Sequence, residues 1–351
     1  MLVSLDLLIS PLRKLLVCAA PALLCTALTA QTPGFVSFDA PDAGTGAHQG
    51  TFVNDINESH VVTGYYVDST TSHGYIRSSS GVITEFDVPG SFYTSPSAIS
   101  STGQVIGTFL TNAQTGNHAF LRTPSGHFVS IDVPGATDTD AGGFSSTGQI
   151  IGVFETSSRG GWQAFLRDSN GVFHTFRDPN AGTDGGQGTF PAAINDSGEI
   201  VGSYADITGK FHGFIRDTSG NITDFDASGA GNIGTFLTSV NSNGEIVGGY
   251  YDNNPLQHAL IRDAGGNVTI IDYPGADGTH AGEVNDSGTV AGIITKGALT
   301  GAFQRDSAGN FSPILIPIPS NTVYASDLTR DGTILGSYID ASQVSHGFVK
   351  Q

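Results

Sequence analysis

A tight turn followed by a glycine-bearing strand recurs seven times between Asn57 and Gly332. The turns read Asn57-Glu58-Ser59-His60, Ser100-Ser101-Thr102-Gly103, Ser145-Ser146-Thr147-Gly148, Asn195-Asp196-Ser197-Gly198, Asn241-Ser242-Asn243-Gly244, Asn285-Asp286-Ser287-Gly288 and Thr329-Arg330-Asp331-Gly332. The glycines after them, Gly64, Gly107, Gly152, Gly202, Gly248, Gly292 and Gly336, stand 43, 45, 50, 46, 44 and 44 residues apart. A period of this length marks supersecondary units, stacked or set around a ring, none of which buries its apolar face alone.

Four strand signals recur in each repeat. One copy reads His118-Ala119-Phe120-Leu121-Arg122, a turn at Thr123 to Gly126, a second run from His127 to Gly135, a third strand ending near Phe144, and a fourth from Gln149 to Phe154. The runs are short, rich in Ile, Val and Phe, and bounded by Gly, Pro, Ser, Thr or Asn. The 48 glycines and the 13% share of charged residues suit many short strands joined by turns. Four antiparallel strands per unit is the content of a propeller blade. At the ends, Gly34 to Pro41 aligns with the second strand of a unit and His346 to Lys350 with the first, so the two partial ends complete one unit. An open array gains nothing from that complementarity, whereas a ring loses its free edges. The expectation is an all-β, seven-bladed β-propeller of four-stranded antiparallel blades over residues 31–351, a single domain closed by pairing of the N- and C-terminal strands.

Residues 1–30 read as an export signal: Arg13 and Lys14 precede an apolar run from Leu15 to Leu28. Cleavage falls after Ala30 or, competing with it, after Ala27. The run is short of the ~20 residues a membrane span needs. Both cysteines, Cys18 and Cys25, lie in this leader, so the mature chain has no thiol and no disulfide. We therefore expect a secreted or periplasmic protein with no membrane span after cleavage. The net charge of -18 excludes nucleic acid as a partner, because phosphate binding needs a basic surface.

His73 and Asp87, His118 and Asp132, His212 and Asp226, and His258 and Asp272 are each fourteen residues apart across a turn, and His346 with Asp39 holds the same two positions across the chain ends. Where His is missing Asp is missing too, as in Gln163 with Arg177 and Gly301 with Leu315. A His-Asp pair is half of a nucleophilic triad. Five copies around a ring are better explained as cross-strand ties. The series Arg77, Arg122, Arg167, Arg216, Arg262 and Arg305, with Lys350 at the closing position, reads in the same way as a turn contact.

The segments His118-Ala119-Phe120-Leu121, Ala193-Ile194-Asn195-Asp196-Ser197-Gly198-Glu199-Ile200-Val201-Gly202 and Val284-Asn285-Asp286-Ser287-Gly288 resemble the unit of the extracellular repeat proteins called the HAF family. Most copies depart from the triplet, with Gly for Ala in His73-Gly74-Tyr75, His212-Gly213-Phe214 and His346-Gly347-Phe348, and Leu for Phe at Leu260. The resemblance implies an exported repeat protein and brings no activity or catalytic residues.

Alternating strand direction puts the short, uniform turns on one face of a disc and the long, varied loops on the other. Variation on a rigid scaffold marks the loop face as the candidate binding surface. Its most distinctive patch is the third unit, with Arg159, the lone Trp162, His174 and Arg177; Tyr66, Tyr93, Tyr251, Tyr273 and Tyr324 fall in or beside comparable loops. Aromatic faces among Asp and Asn suit sugar rings; the plainer alternative is that Trp162 covers an edge of its own blade. Asp138, Asp140, Asp184 and Asp277 lack the further ligands of a calcium loop, and neither a metal nor a cofactor is expected. Two function classes stay open. One is a non-catalytic, monomeric binding module for an extracellular glycan or protein surface. The other is a propeller-type polysaccharide lyase or glycoside hydrolase, which should gather carboxylates near the axis and break the repeat symmetry in one place.

Overall fold

The computed structural model describes residues 34–111, 116–157 and 160–351; the leader and Arg159 lie outside them. Every regular element among the described residues is a strand, and no helix is long and apolar enough to cross a membrane. The strands pair as antiparallel four-stranded ladders. In the third ladder Asp138–Phe144, Ile150–Glu155, Gln163–Arg167 and Phe173–Phe176 pair in chain order. Among the described residues the other ladders begin with Gly50–Ile56, Tyr93–Ile99, Gly188–Ile194, Gly234–Val240, Gly278–Val284 and Thr322–Leu328. Each of these leading strands touches the leading strand of the ladder before and after it, and Gly50–Ile56 touches Thr322–Leu328.

The last ladder draws on both chain ends. Thr322–Leu328, Ile334–Ile339 and Ser345–Lys350 are followed by Phe35–Phe38, with Phe35 opposite Lys350 and Phe38 opposite Gly347. One element of the sequence reading is corrected: the repeat it cuts is two strands out of phase with the ladder. His118–Arg122 and Phe128–Ser130 finish the second ladder, whereas Asp138–Phe144 opens the third. Within a repeat every turn looks local, so only packing tells which strand pair starts a sheet.

Each leading strand carries a bulge, as between Val53 and Asp55 or between Ala281 and Glu283. A bulge re-aims the residues around it. It also presses the leading strand on the second one, which explains the glycine period. A Cβ on Gly152 would lie 2.1 Å from the Asp140 carbonyl and 2.6 Å from the Phe165 ring. Only a residue without a side chain fits there. The ring laid across that column recurs as Tyr75, Phe120, Phe165, Phe214, Phe303 and Phe348, with Leu260 in the fifth ladder, all wholly buried. At roughly 1.5–3 kcal/mol per buried apolar side chain, this column is a principal source of stability. The core is divided into wedges between neighbouring ladders: Ala98, Ile106 and Ala119 of the second pack on Ala141, Ile150 and Phe165 of the third.

Candidate functional site

The five His-Asp pairs meet at hydrogen-bond distance. Nδ1 to carboxylate separations are 2.8 Å for His73–Asp87, 3.0 Å for His118–Asp132, 2.9 Å for His212–Asp226, 2.7 Å for His258–Asp272 and 2.9 Å for His346–Asp39. Four of the rings have a second carboxylate near Nε2: Asp68 at 3.7 Å, Asp206 at 3.4 Å, Asp252 at 3.8 Å and Asp340 at 3.5 Å. A tyrosine lies flat on each of these four, with ring centroids 5.0 Å apart for Tyr66–His73 and 4.9 Å for Tyr204–His212, Tyr250–His258 and Tyr338–His346. The second Asp also caps its own turn, and the Thr71 amide with the amide and hydroxyl of Thr70 holds the Asp68 carboxyl down at about 2. Each of these four rings is thus held at Nδ1 by one carboxylate, faced at Nε2 by a second and covered on one side by a tyrosine, as a structural tie requires. A Tyr-x-Asp ahead of each such His is the sequence signal for this arrangement.

The aromatic residues proposed as ligand platforms do not gather. Trp162 is corrected outright: only 1% exposed, its indole fills the wedge between the third and fourth ladders against Val153, Phe190 and Ala205. Its main chain explains why, accepting from Thr189 and donating to Gln187 so that the side chain turns inward. Tyr66 is buried under His73. Tyr251 stands edge-on to Phe236, and Tyr273 packs on Phe303 and Phe311. Tyr93 and Tyr324 are half-buried on the leading strands of the second and seventh ladders.

Arg177 turns into its own loop, donating to the carbonyls of Ala181 and Gly182. His174 faces Asp168. The repeated arginines also serve their turns: Arg77, Arg122, Arg262 and Arg305 donate to the next residue's carbonyl. Of the calcium candidates, Asp140 accepts from Thr108 and Asn117, Asp138 from the Asn117 amide, and Asp277 from the Gly297 amide. Among the described residues no three His, Cys, Asp or Glu side chains are placed to hold a metal ion.

What the ladders do bring together is a cup of about 300 Å³ where their leading strands converge. It opens among the short turns, on the face opposite the varied loops. Two rings of equivalent positions shape it. The deeper ring, just past the bulge, is Asp55, Ala98, Gly143, Ala193, Ser239, Glu283 and Asp327. Three consecutive ladders therefore supply carboxyl groups, and the other four supply small residues that leave space. The upper ring is the second turn residue, through which Glu58, Asp196, Ser242, Asp286 and Arg330 line the cup. Arg330 spans the mouth, with Nε 2.8 Å from Asp286, Nη2 2.9 Å from Asp196, and Glu58 at 3.9 Å.

The cup is rigidly held. Asp55 accepts the Ile99 amide of the next ladder at 2.7 Å, and Asp327 accepts the Ile56 amide at 2.9 Å and the Leu328 amide at 2.7 Å. Bulge side chains reach the next ladder as well, Asn54 to the Pro96 carbonyl, Ser97 to Ala141 and Thr238 to Ala281. Burial, reinforced by the Asp327 carboxylate, pushes Asp55 well above the usual carboxylate range. Burial and Asp327 likewise push Glu283 up, to about 8. With a value near 8, Glu283 holds a proton at neutral pH and offers the floor of the cup a hydrogen-bond donor beside acceptors. The sequence reading missed these residues because each repeat contributes one, and their clustering shows only when the bulge positions are laid side by side.

No protein-family model and no curated protein matches the chain. Solved structures do. The virginiamycin B lyase of Staphylococcus aureus is 16% identical, with a TM-score of 0.58 over 90% of this chain and 99% of that one. The β-propeller domain of the Trilobed protease from Pyrococcus furiosus, which has an open velcro topology, gives 0.61 at 13% identity over 86% of this chain and 95% of that one. The BP39L lectin of Burkholderia pseudomallei gives 0.57 at 13% identity over 85% of this chain and 94% of that one. At such identities the likeness is one of fold, and the fold is a β-propeller.

Proposed function

We propose that the chain is an exported, closed seven-bladed propeller built of HAF-type repeats that binds an extracellular partner, a glycan or a protein surface, without altering it. Closure is supported by the pairing of Phe35–Phe38 with Ser345–Lys350 and by the cyclic contact of the leading strands. Export rests on the leader read over residues 1–30. The observation that carries binding is the cup, a polar cavity on the axis in which four ladders offer small residues and three offer carboxyls. Donors and acceptors placed side by side in a cavity of a few hundred Å³ suit the hydroxyl or amine groups of a saccharide or a projecting side chain. That the lectin shares the fold is consistent with a glycan. A glycan array probed with purified residues 31–351 tests the proposal: at least one bound glycan should be lost in an Asp327→Asn, Glu283→Gln double variant, and an array pattern wholly indifferent to that variant is the contrary result.

One observation favours a second reading, a lyase or hydrolase. Glu283 keeps its proton at neutral pH beside further carboxylates, as a general acid must. Against it, the oxygens of Asp55 and Asp327 already accept main-chain amides. Shortened polysaccharide chains after incubation with the protein, absent with Glu283→Gln, would replace binding by catalysis.

A further inference from the structure

A second cavity, of about 400 Å³, lies between the second and third ladders on the turn face, and its origin is legible in two lost contacts. At four other junctions the first turn residue is an asparagine that ties one ladder to the next: Asn57 donates to the Ser100 carbonyl at 2.9 Å, Asn195 to Asn241 at 3.1 Å, Asn241 to Asn285 at 2.9 Å and Asn285 to Thr329 at 3.0 Å. At Ser100 the side chain is shorter and its hydroxyl stays in its own turn, 3.0 Å from that of Thr102. The second contact is a guanidinium laid on an aromatic ring of the preceding ladder: Arg77 on Phe38 at 4.7 Å, Arg122 on Phe86 at 4.8 Å and Arg216 on Phe176 at 4.8 Å. For Arg167 the preceding ladder offers Ile131 at that position, and the guanidinium lies over its own Phe173 at 5.9 Å instead. The junction after Ser145 loses the asparagine but keeps the stacked ring, under Arg216. Between the second and third ladders both are replaced, and the wedge stands open.

We infer that this groove is a binding subsite for a neutral saccharide unit, separate from the axial cup. Its floor is apolar, from Leu121, Phe144 and Ile150, while its rim carries the Arg167 guanidinium, the amides of Gln104 and Asn170 and the hydroxyls of both turns. A sugar ring has the matching pair of surfaces, a C–H face that packs on aliphatic and aromatic carbon and an equator of hydroxyls that needs donors and acceptors together. Arg167 brings donors, and no carboxylate stands among the described residues that line the groove. The net charge of -18 disfavours a uronate or sulfated polymer at the same place.

The test uses the mature protein against glucose-, galactose-, mannose- and fucose-based trisaccharides, with trigalacturonate as the anionic counterpart, read by saturation-transfer NMR and titration. Ser169, exposed on the rim and without a side-chain bond to lose, is replaced in Ser169→Trp to fill the groove, and Arg167→Gln removes the donor. A neutral trisaccharide whose affinity falls at least tenfold in both variants, with melting temperature within a few degrees of the parent and no change in Glu283→Gln, is the expected result. Silence from every neutral probe, undiminished binding to Ser169→Trp, or a preference for trigalacturonate overturns the assignment. Loss in Glu283→Gln alone would return the ligand to the cup.

Discussion

Arg330 reaches across the cup to Asp196, Nη2 to Oδ2 at 2.9 Å, over 134 residues of sequence. With Asp286 and Glu58 it closes the mouth of a cup that contains no other basic lining residue among those described. The pair is half-exposed, so its direct contribution is small. Arg330→Gln should lower stability by less than about 1 kcal/mol. Melts at low and high salt check this: the difference from the parent should shrink as salt screens the mouth.

Glu283 sets a pH dependence whose sign is opposite to that of an ordinary paired carboxylate. Its folded value, about 8, lies above the usual range, so between roughly pH 5 and 8 the native state holds a proton that the unfolded chain has released. Stability from this group is present at the acid end and is lost as pH rises. Glu283→Gln should flatten the decline in melting temperature over that range; an unchanged slope would move its origin elsewhere.

Asn241 ties two junctions at once, accepting at its main-chain carbonyl from Asn195 and donating from its side chain to Asn285. Its Oδ1 also accepts the amides of Asn243 and Glu245. Asn241→Ala leaves the Asn285 carbonyl without its buried donor and the Asn243 and Glu245 amides without their acceptor, and should cost roughly 1–3 kcal/mol in urea unfolding. By contrast, Ser146→Ala on the exposed turn surface should fall within about 0.5 kcal/mol of the parent.

Gly152→Ala places a methyl carbon against the Asp140 carbonyl and the Phe165 ring, neither of which can withdraw. A loss of about 3 kcal/mol or failure to accumulate as folded protein is expected. Gly148→Ala is a useful contrast, since its cost there comes from a left-handed backbone, φ 81°, with nothing near the added carbon. Denaturant midpoints of the two should differ clearly.

Deleting residues 346–351 removes the partner of Phe35–Phe38 and the neighbour of Ile334–Ile339 together. A frayed tail costs little when trimmed. Here the melting temperature should fall by more than about 10 °C, as a loss of several kcal/mol implies. An unchanged melt would speak against the closed ring.

Much of the architecture was legible in the sequence because its causes are local. A glycine every forty-odd residues, a turn ahead of it and a buried ring after it each follow from contacts within one ladder, and so recur with the repeat. The fourteen-residue His-Asp offset becomes a contact for the same reason: both side chains belong to one hairpin and its exit. The fit of Phe35–Phe38 onto Ser345–Lys350 was likewise visible, as a missing strand at each end. Only the tertiary structure decided where one sheet stops and the next begins, that Trp162 points inward rather than out, and that a cavity forms where Asp55, Glu283 and Asp327 meet. Those three carboxyls lie in separate repeats, each unremarkable in its own strand. Convergence of the leading strands removes the distance along the chain, and burial in a common cavity then changes their chemistry.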